Sequence, residues 1–316
     1  MKRMENPATR RWTSLSLWIG LLAFVLLPLL LPKYATILVT QCLIYAIVAM
    51  SLDILIGYTG LAALGHSAFF AIGAYGTAIL ATKFHSSLGG AVFFSIAAAA
   101  AASAILGLLA LRAVGIYFLI ITLSLAMVVW GVVNRWVSVT GGDNGISGIP
   151  RQGLLWMGGV QDTIPFYYLI LFSFCAAASL MFLLIRSPFG KTLIAIRDSE
   201  SRMGVLGYNV WLHKYLAFII TGAFAGFAGS LYAYYNGFVN PNVADLAHCM
   251  KLVLMVSLGG AGTLIGAGLG AFLITLLENF IYIYTDRWVM VLALIYVLTA
   301  KYAPRGLLGL LRPMAK

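Results

Sequence analysis

Charge is what this chain has least of. Its 316 residues include 9 Asp and Glu and 20 Lys and Arg, so 9% are charged, where a soluble globular domain carries about 25%. Histidine and cysteine are scarce as well, at 4 and 3 residues. No Cys-x-x-Cys spacing joins Cys42, Cys175 and Cys249, so neither a metal site nor a disulfide framework is indicated. Sequences of the His-Glu-x-x-His or Gly-x-Ser-x-Gly kind are missing too, which leaves a membrane enzyme without a visible nucleophile or metal cage.

Apolar residues are what the chain has in excess, at 62%, gathered into stretches near the roughly 20 residues needed to cross a bilayer. Runs such as 26–31 and 97–102 show no alternation, which excludes a membrane β-barrel. The expected fold is therefore all-α, a polytopic helical membrane protein with one transmembrane domain over 1–316. The net charge of +11 does not point to nucleic acid, because the basic residues are scattered between apolar segments.

Ten spans are predicted, near 13–31, 36–56, 61–81, 89–111, 114–134, 165–185, 214–236, 249–258, 264–284 and 287–301. Two of them, the glycine-rich 61–81 and the short 249–258, are candidates for broken or re-entrant segments. On this count Lys33, Lys83, Arg135, Arg151, Lys251 and Arg287 fall on one side, and the more numerous remaining Lys and Arg on the other. The positive-inside rule then places both termini in the cytoplasm. The expected layout is a cytoplasmic tail over 1–12, a periplasmic loop over 135–164, a cytoplasmic loop over 186–213 and a second cytoplasmic tail over 302–316. The basic start and the apolar stretch behind it read as an uncleaved first span, since no small-x-small cleavage site follows Pro32.

Several motifs are imitations. Gly190-Lys191-Thr192 lacks the earlier glycine and the preceding strand of a phosphate-binding loop. Gly262, Gly266 and Gly270 recur every fourth residue, as do Gly222 and Gly226, a spacing that lets transmembrane backbones approach closely. Asp143-Asn144-Gly145 lacks the later ligands of a calcium loop and reads as a turn. A weak repeat places Gly57, Gly60, Phe70 and Ile72 on Gly259, Gly262, Phe272 and Ile274, and matching glycine-interrupted segments in two halves point to a translocation path.

Two carboxylates, Asp53 and Glu278, fall within apolar spans. An acidic side chain there costs about 2.5–3.5 kcal/mol on insertion scales, so it faces protein or water and marks either a structural hydrogen bond or a transport path. His66 is open to the same two readings, a packed, hydrogen-bonded side chain or a proton relay. In the cytoplasmic loop, Leu193, Ile196, Met203 and Leu206 share one face of a short amphipathic helix while Arg197, Asp198 and Glu200 lie elsewhere.

Four segments together resemble the permease subunits of ABC importers for branched-chain amino acids, the LivM-like family. They are the stretch from Leu55-Ile56-Gly57-Tyr58-Thr59-Gly60-Leu61 through Gly65-His66-Ser67-Ala68-Phe69-Phe70; Gly115-Ile116-Tyr117-Phe118 with Thr122-Leu123; Thr140-Gly141-Gly142-Asp143-Asn144-Gly145-Ile146-Ser147-Gly148-Ile149-Pro150; and Ala195-Ile196-Arg197-Asp198 on to Gly207, followed by Leu258-Gly259-Gly260-Ala261-Gly262-Thr263 and Pro304-Arg305-Gly306-Leu307. The resemblance implies half of an inner-membrane channel that binds no cofactor. It pairs with a LivH-like second permease, two cytoplasmic ATPases and a periplasmic solute-binding protein, and moves hydrophobic amino acids or a related small polar solute such as urea or a short amide.

By the same analogy Arg197, Asp198, Glu200, Arg202, Met203, Gly204, Leu206 and Gly207 form the ATPase-coupling segment, with Met203 and Leu206 as apolar anchors. Gly60, Gly65, His66, Ser67, Phe69 and Phe70 are the path candidates, and the outer loop receives the binding protein. The alternative is a proton-coupled secondary transporter using Asp53, Glu278 and His66 as a relay, without an ATPase.

Overall fold

The computed structural model describes residues 24–28, 32–150 and 163–284, with isolated positions from 290 to 306. In chain order the elements are α1 (Lys33–Asp53), a π-helical turn (Ile54–Thr59), α2 (His66–Lys83), α3 (Leu88–Ala110), α4 (Ile116–Arg135), β1 (Ile146–Ser147), α5 (Thr163–Arg186), α6 (Pro188–Asp198), α7 (Glu200–Val205), α8 (Val210–Asn236), β2 (Phe238–Val239), α9 (Leu246–Gly259) and α10 (Leu264–Tyr284). Six helical stretches among the described residues are long and apolar enough to cross a membrane: Lys33–Thr59, α3, α4, α5, α8 and α10. Their backbone groups are satisfied within each helix, the condition for crossing hydrocarbon. The predicted spans 13–31 and 287–301 lie mostly outside the described residues.

The core is built around α1, α2 and α8, which are largely buried, while α3, α4 and α5 lie at the periphery. Lipid is as apolar as leucine, so close backbone approach, not hydrophobic burial, holds such helices together. A Cβ on Gly73 of α2 would stand 2.1 Å from the Gly226 carbonyl oxygen of α8, and one on Gly226 would stand 2.2 Å from the Ala99 Cβ of α3. In the same way Gly270 of α10 lies against the Met255 carbonyl of α9. The every-fourth-residue glycines thus do the packing expected of them, with one exception. Gly262 sits in the turn between α9 and α10 at φ +86°, a conformation an L side chain rarely adopts.

Two sides of the molecule are recognisable from contacts between helix ends. On one, Lys83 at the end of α2 donates to the carbonyls of Ser138 and Val139 just beyond α4. There β1 pairs antiparallel with β2, Ile146 opposite Val239 and Ser147 opposite Phe238. The turn over 142–144 therefore folds back onto the end of α8. On the other side the π-helical turn, α6 and the α9–α10 turn converge.

Three expectations are corrected. The segment 61–81 is helical only from His66, after an irregular stretch that begins at Gly60 with φ +76°. Lys251, counted as a charge at one membrane face, lies inside α9, 6% exposed. The stretch predicted as a single short amphipathic helix is two helices, because Ser199 is extended and its Oγ accepts from the Arg202 N–H, making it the N-cap of α7.

Candidate coupling and translocation sites

Ser187 starts α6, its Oγ accepting from the Gly190 N–H with Pro188 at the first helical position. The helix buries Leu193 and Ile196 and leaves Arg197 and Asp198 toward solvent. Arg197 then reaches back, its Nη1 donating to the Gly57 carbonyl in the π-helical turn. Its side chain also covers Gly60, where an added Cβ would stand 2.8 Å from Arg197 Cγ. π-Helical turns are frequent at functional sites, and here one receives the Arg197 side chain of α6.

In α7, Glu200 forms an ion pair with Lys214 of α8. Asp198, Glu200, Arg202, Gly204, Leu206 and Gly207 are exposed, but Met203 is 7% exposed and packs inward. As an anchor for a partner Met203 is therefore corrected. The break at Ser199 resets the helical phase, and Leu206 lies beyond the end of α7. The exposed apolar surface is made instead by Val205 and Leu206, 89% and 70% exposed, continued by Tyr208, Trp211 and Leu212. Val205 was absent from the predicted set, although it adjoins Leu206.

Asp53 is fully buried at the end of α1. Its Oδ1 accepts the Gly262 N–H at 2.7 Å, and its Oδ2 has no hydrogen-bond partner. The two glycine-interrupted segments named by the weak repeat touch here, since a Cβ on Gly57 would stand 2.0 Å from Gly262 N.

Of the path candidates, Gly60 is exposed, and Gly65, His66, Ser67, Phe69 and Phe70 are buried within the chain. His66 Nε2 and Ser51 Oγ are 2.8 Å apart, and Ser67 Oγ and Cys249 Sγ are also 2.8 Å apart. Phe69 meets Phe218 edge-on at 5.4 Å, and Phe70 stacks with Tyr45 and His248. The void beside Gly65 and Phe69 measures about 10 Å³, room for one water at most. Among the described residues, Gly65, His66, Ser67, Phe69 and Phe70 pack the interior of the chain. A larger cavity of about 210 Å³ lies elsewhere, between the starts of α1 and α5 and the end of α8, lined by Ile37, Thr40, Thr163, Phe166, Tyr235 and Asn236.

Glu278 has a partner the sequence reading missed: Lys251 Nζ stands 2.5 Å from its Oε2, and the same ammonium lies 4.0 Å from the centroid of the Tyr45 ring. Asp53 and Glu278 are not brought together. One is tied to the turn before α10, and the other lies about 21 Å along that helix at 1.5 Å per residue. His66 is bonded to Ser51 and has its Nδ1 unpartnered, so the three form no continuous chain among the described residues.

The chain matches, over residues 34–300, the family model described as branched-chain amino acid transport system, permease component. It is 32% identical over 313 residues to the high-affinity branched-chain amino acid transport system permease protein LivM of Escherichia coli K12, an alignment covering 92% of this chain and 73% of that protein. It is 30% identical over 311 residues to LivM of Salmonella typhimurium, with the same coverage. A shorter alignment, 37% identical over 103 residues, relates it to the autoinducer 2 import system permease protein LsrC of Klebsiella pneumoniae, covering 31% of this chain and 30% of that one. No solved structure matches. With its apolar helices and a family match over most of its length, the chain belongs to the branched-chain amino acid transport system permease family and is a multi-pass inner-membrane transport subunit.

Proposed function

We propose that this chain is one of two permease halves in an ATP-driven importer that carries branched-chain and other hydrophobic amino acids inward. It works with a LivH-like permease, two cytoplasmic ATPases and a periplasmic solute-binding protein, and both its termini are cytoplasmic. The observation that carries the reading is the exposed apolar surface at Val205 and Leu206, rimmed by Asp198, Glu200 and Arg202. An apolar centre with a charged rim is the anatomy of a protein interface, and the adjoining α6 is linked to the membrane core through Arg197 and Gly57.

In this mechanism ATP closes the ATPases, whose movement displaces α6 and α7. Arg197 passes the displacement to the π-helical turn, and Asp53 passes it on to the start of α10. The two permease halves then rock between outward and inward openings. The path runs between the halves, consistent with an interior that this chain fills with its own side chains. The outer turn over 141–149 is the landing place of the binding protein.

The test is co-purification of ATPase subunits with the detergent-solubilised chain. Val205→Asp/Leu206→Asp, on exposed positions, should abolish it while the chain keeps its wild-type elution profile. Equal recovery of ATPases with wild type and variant would remove the coupling assignment. Uptake that survives ATP depletion and collapses with a protonophore would replace the importer with a proton-coupled carrier.

A further inference from the structure

A cluster of polar groups lies where α1, α9 and α10 meet. From α1 come Gln41 and Tyr45, from α9 His248 and Lys251, and from α10 Thr275, Glu278 and Asn279. Each set is spaced by three or four residues, so each helix turns one face to the same place. Holding Lys251 and Glu278 in membrane helices is costly, and buried ion pairs are often replaceable by apolar residues without loss of stability, so the pair is weak evidence of a purely structural role.

The cluster also has bonding capacity to spare. His248 Nε2 and Thr275 Oγ1 are buried without hydrogen-bond partners, Thr275 being 0% exposed, and the Asn279 to Gln41 hydrogen bond is long at 3.4 Å. The Glu278 side chain is 16% exposed against 6% for Lys251, while the Oε2 that faces Lys251 is itself buried. Beside it, Tyr45, Phe70 and Tyr232 pack on one another, with ring centroids 5.2–6.2 Å apart.

We infer that Lys251 and Glu278 are a binding station for the charged head of a zwitterionic amino acid on its way through the importer, an inference that rests on the function proposed above. The Glu278 carboxylate takes the solute's ammonium and the Lys251 ammonium takes its carboxylate. One internal pair is exchanged for two pairs with the solute, and no charge is left alone in an apolar medium. Thr275 and His248 supply hydrogen bonds. An uncharged solute such as urea cannot make this exchange, so the cluster selects amino acids from among the solutes of this kind of permease.

The test uses the assembled complex in liposomes with its binding protein and radiolabelled leucine. Two double variants remove the oriented charges while leaving no unpaired ion: Lys251→Met/Glu278→Leu and the swap Lys251→Glu/Glu278→Lys. Both should assemble, judged by co-elution of all subunits, and take up leucine at least tenfold more slowly. Uptake by either assembled variant within twofold of wild type overturns the inference and makes the pair a structural lock. Because a variant can fail to assemble, the wild-type complex is also treated with a lipid-soluble carbodiimide, and modification of Glu278 is followed by mass spectrometry. Leucine should slow it at least threefold and urea should not; equal rates with and without leucine overturn the inference. A wild-type complex lacking ATP-dependent uptake counts against the importer itself, and the protection measurement is then read on the chain alone.

Discussion

The buried carboxylate of Asp53 holds the backbone N–H of Gly262, 209 residues away, at 2.7 Å. This bond ties the end of α1 to the turn that launches α10, and the guanidinium of Arg197 in α6 binds the π-helical turn that follows Asp53. Three remote parts of the chain are thereby held at one point.

Removing that acceptor leaves a buried N–H without a partner, which costs about 1–3 kcal/mol. Asp53→Ala should therefore lower thermal stability in detergent, and Asp53→Asn, which keeps a carbonyl oxygen in place, should lower it less. Equal losses for the two would mean that the hydrogen bond is not what matters. Fluorescence-detected size exclusion after heating is the measurement.

Close approach gives a sharper contrast. A Cβ on Gly57 would stand 2.0 Å from Gly262 N and 2.3 Å from Asp53 Oδ1, whereas one on Gly131 in α4 meets nothing within 4 Å. Gly57→Ala should sharply reduce the yield of folded protein. Gly131→Ala should be neutral or stabilising by up to about 1 kcal/mol, since alanine is the better helix former.

Around α7, inward and outward side chains should separate cleanly. Met203→Ala opens a cavity in the chain and should cost about 2–5 kcal/mol. Leu206→Ala, on a residue 70% exposed, should stay within about 0.5 kcal/mol. Thermal unfolding of the isolated chain reads both, and the reverse order would mean that Met203 faces outward.

If Arg197 couples α6 to the π-helical turn as proposed, its geometry should matter as well as its charge. Arg197→Lys keeps the charge and loses the planar fork, so it should restore little of the uptake lost in Arg197→Ala, with both variants inserted at wild-type levels. Full rescue by lysine would reduce the contact to electrostatics.

Sidedness is open to direct labelling. With the native cysteines replaced, His85→Cys and Leu206→Cys place thiols at exposed positions on the outer and cytoplasmic sides of the proposed topology. A membrane-impermeant maleimide applied to intact spheroplasts should label the first and spare the second. The opposite pattern would invert the topology.

The helical membrane class was legible in the sequence because the bilayer imposes a local rule. A crossing needs an uninterrupted apolar run with its backbone bonded internally. Accordingly the predicted 36–56, 89–111, 114–134, 165–185, 214–236 and 264–284 differ from the observed spans by only a few residues at most ends. The packing glycines were legible for the same reason, since a four-residue period needs only the helix itself.

What the sequence left open depends on which faces meet. Lys251 falls in the short predicted span 249–258 and counts there only toward sidedness; that it pairs with Glu278, 27 positions later, shows only when the two helices are seen side by side. Met203 and Leu206 share a face on a continuous helix, but Ser199 ends that helix and α7 docks in a new phase. Gly262 fits the packing period yet belongs to a turn, and His66, Phe69 and Phe70 fit a path yet fill the interior. Composition and periodicity determined that this chain crosses the membrane repeatedly and where most crossings run. The tertiary structure alone decided which buried charges are paired and which apolar side chains remain for partners, because those depend on contacts between helices that no single helix's period records.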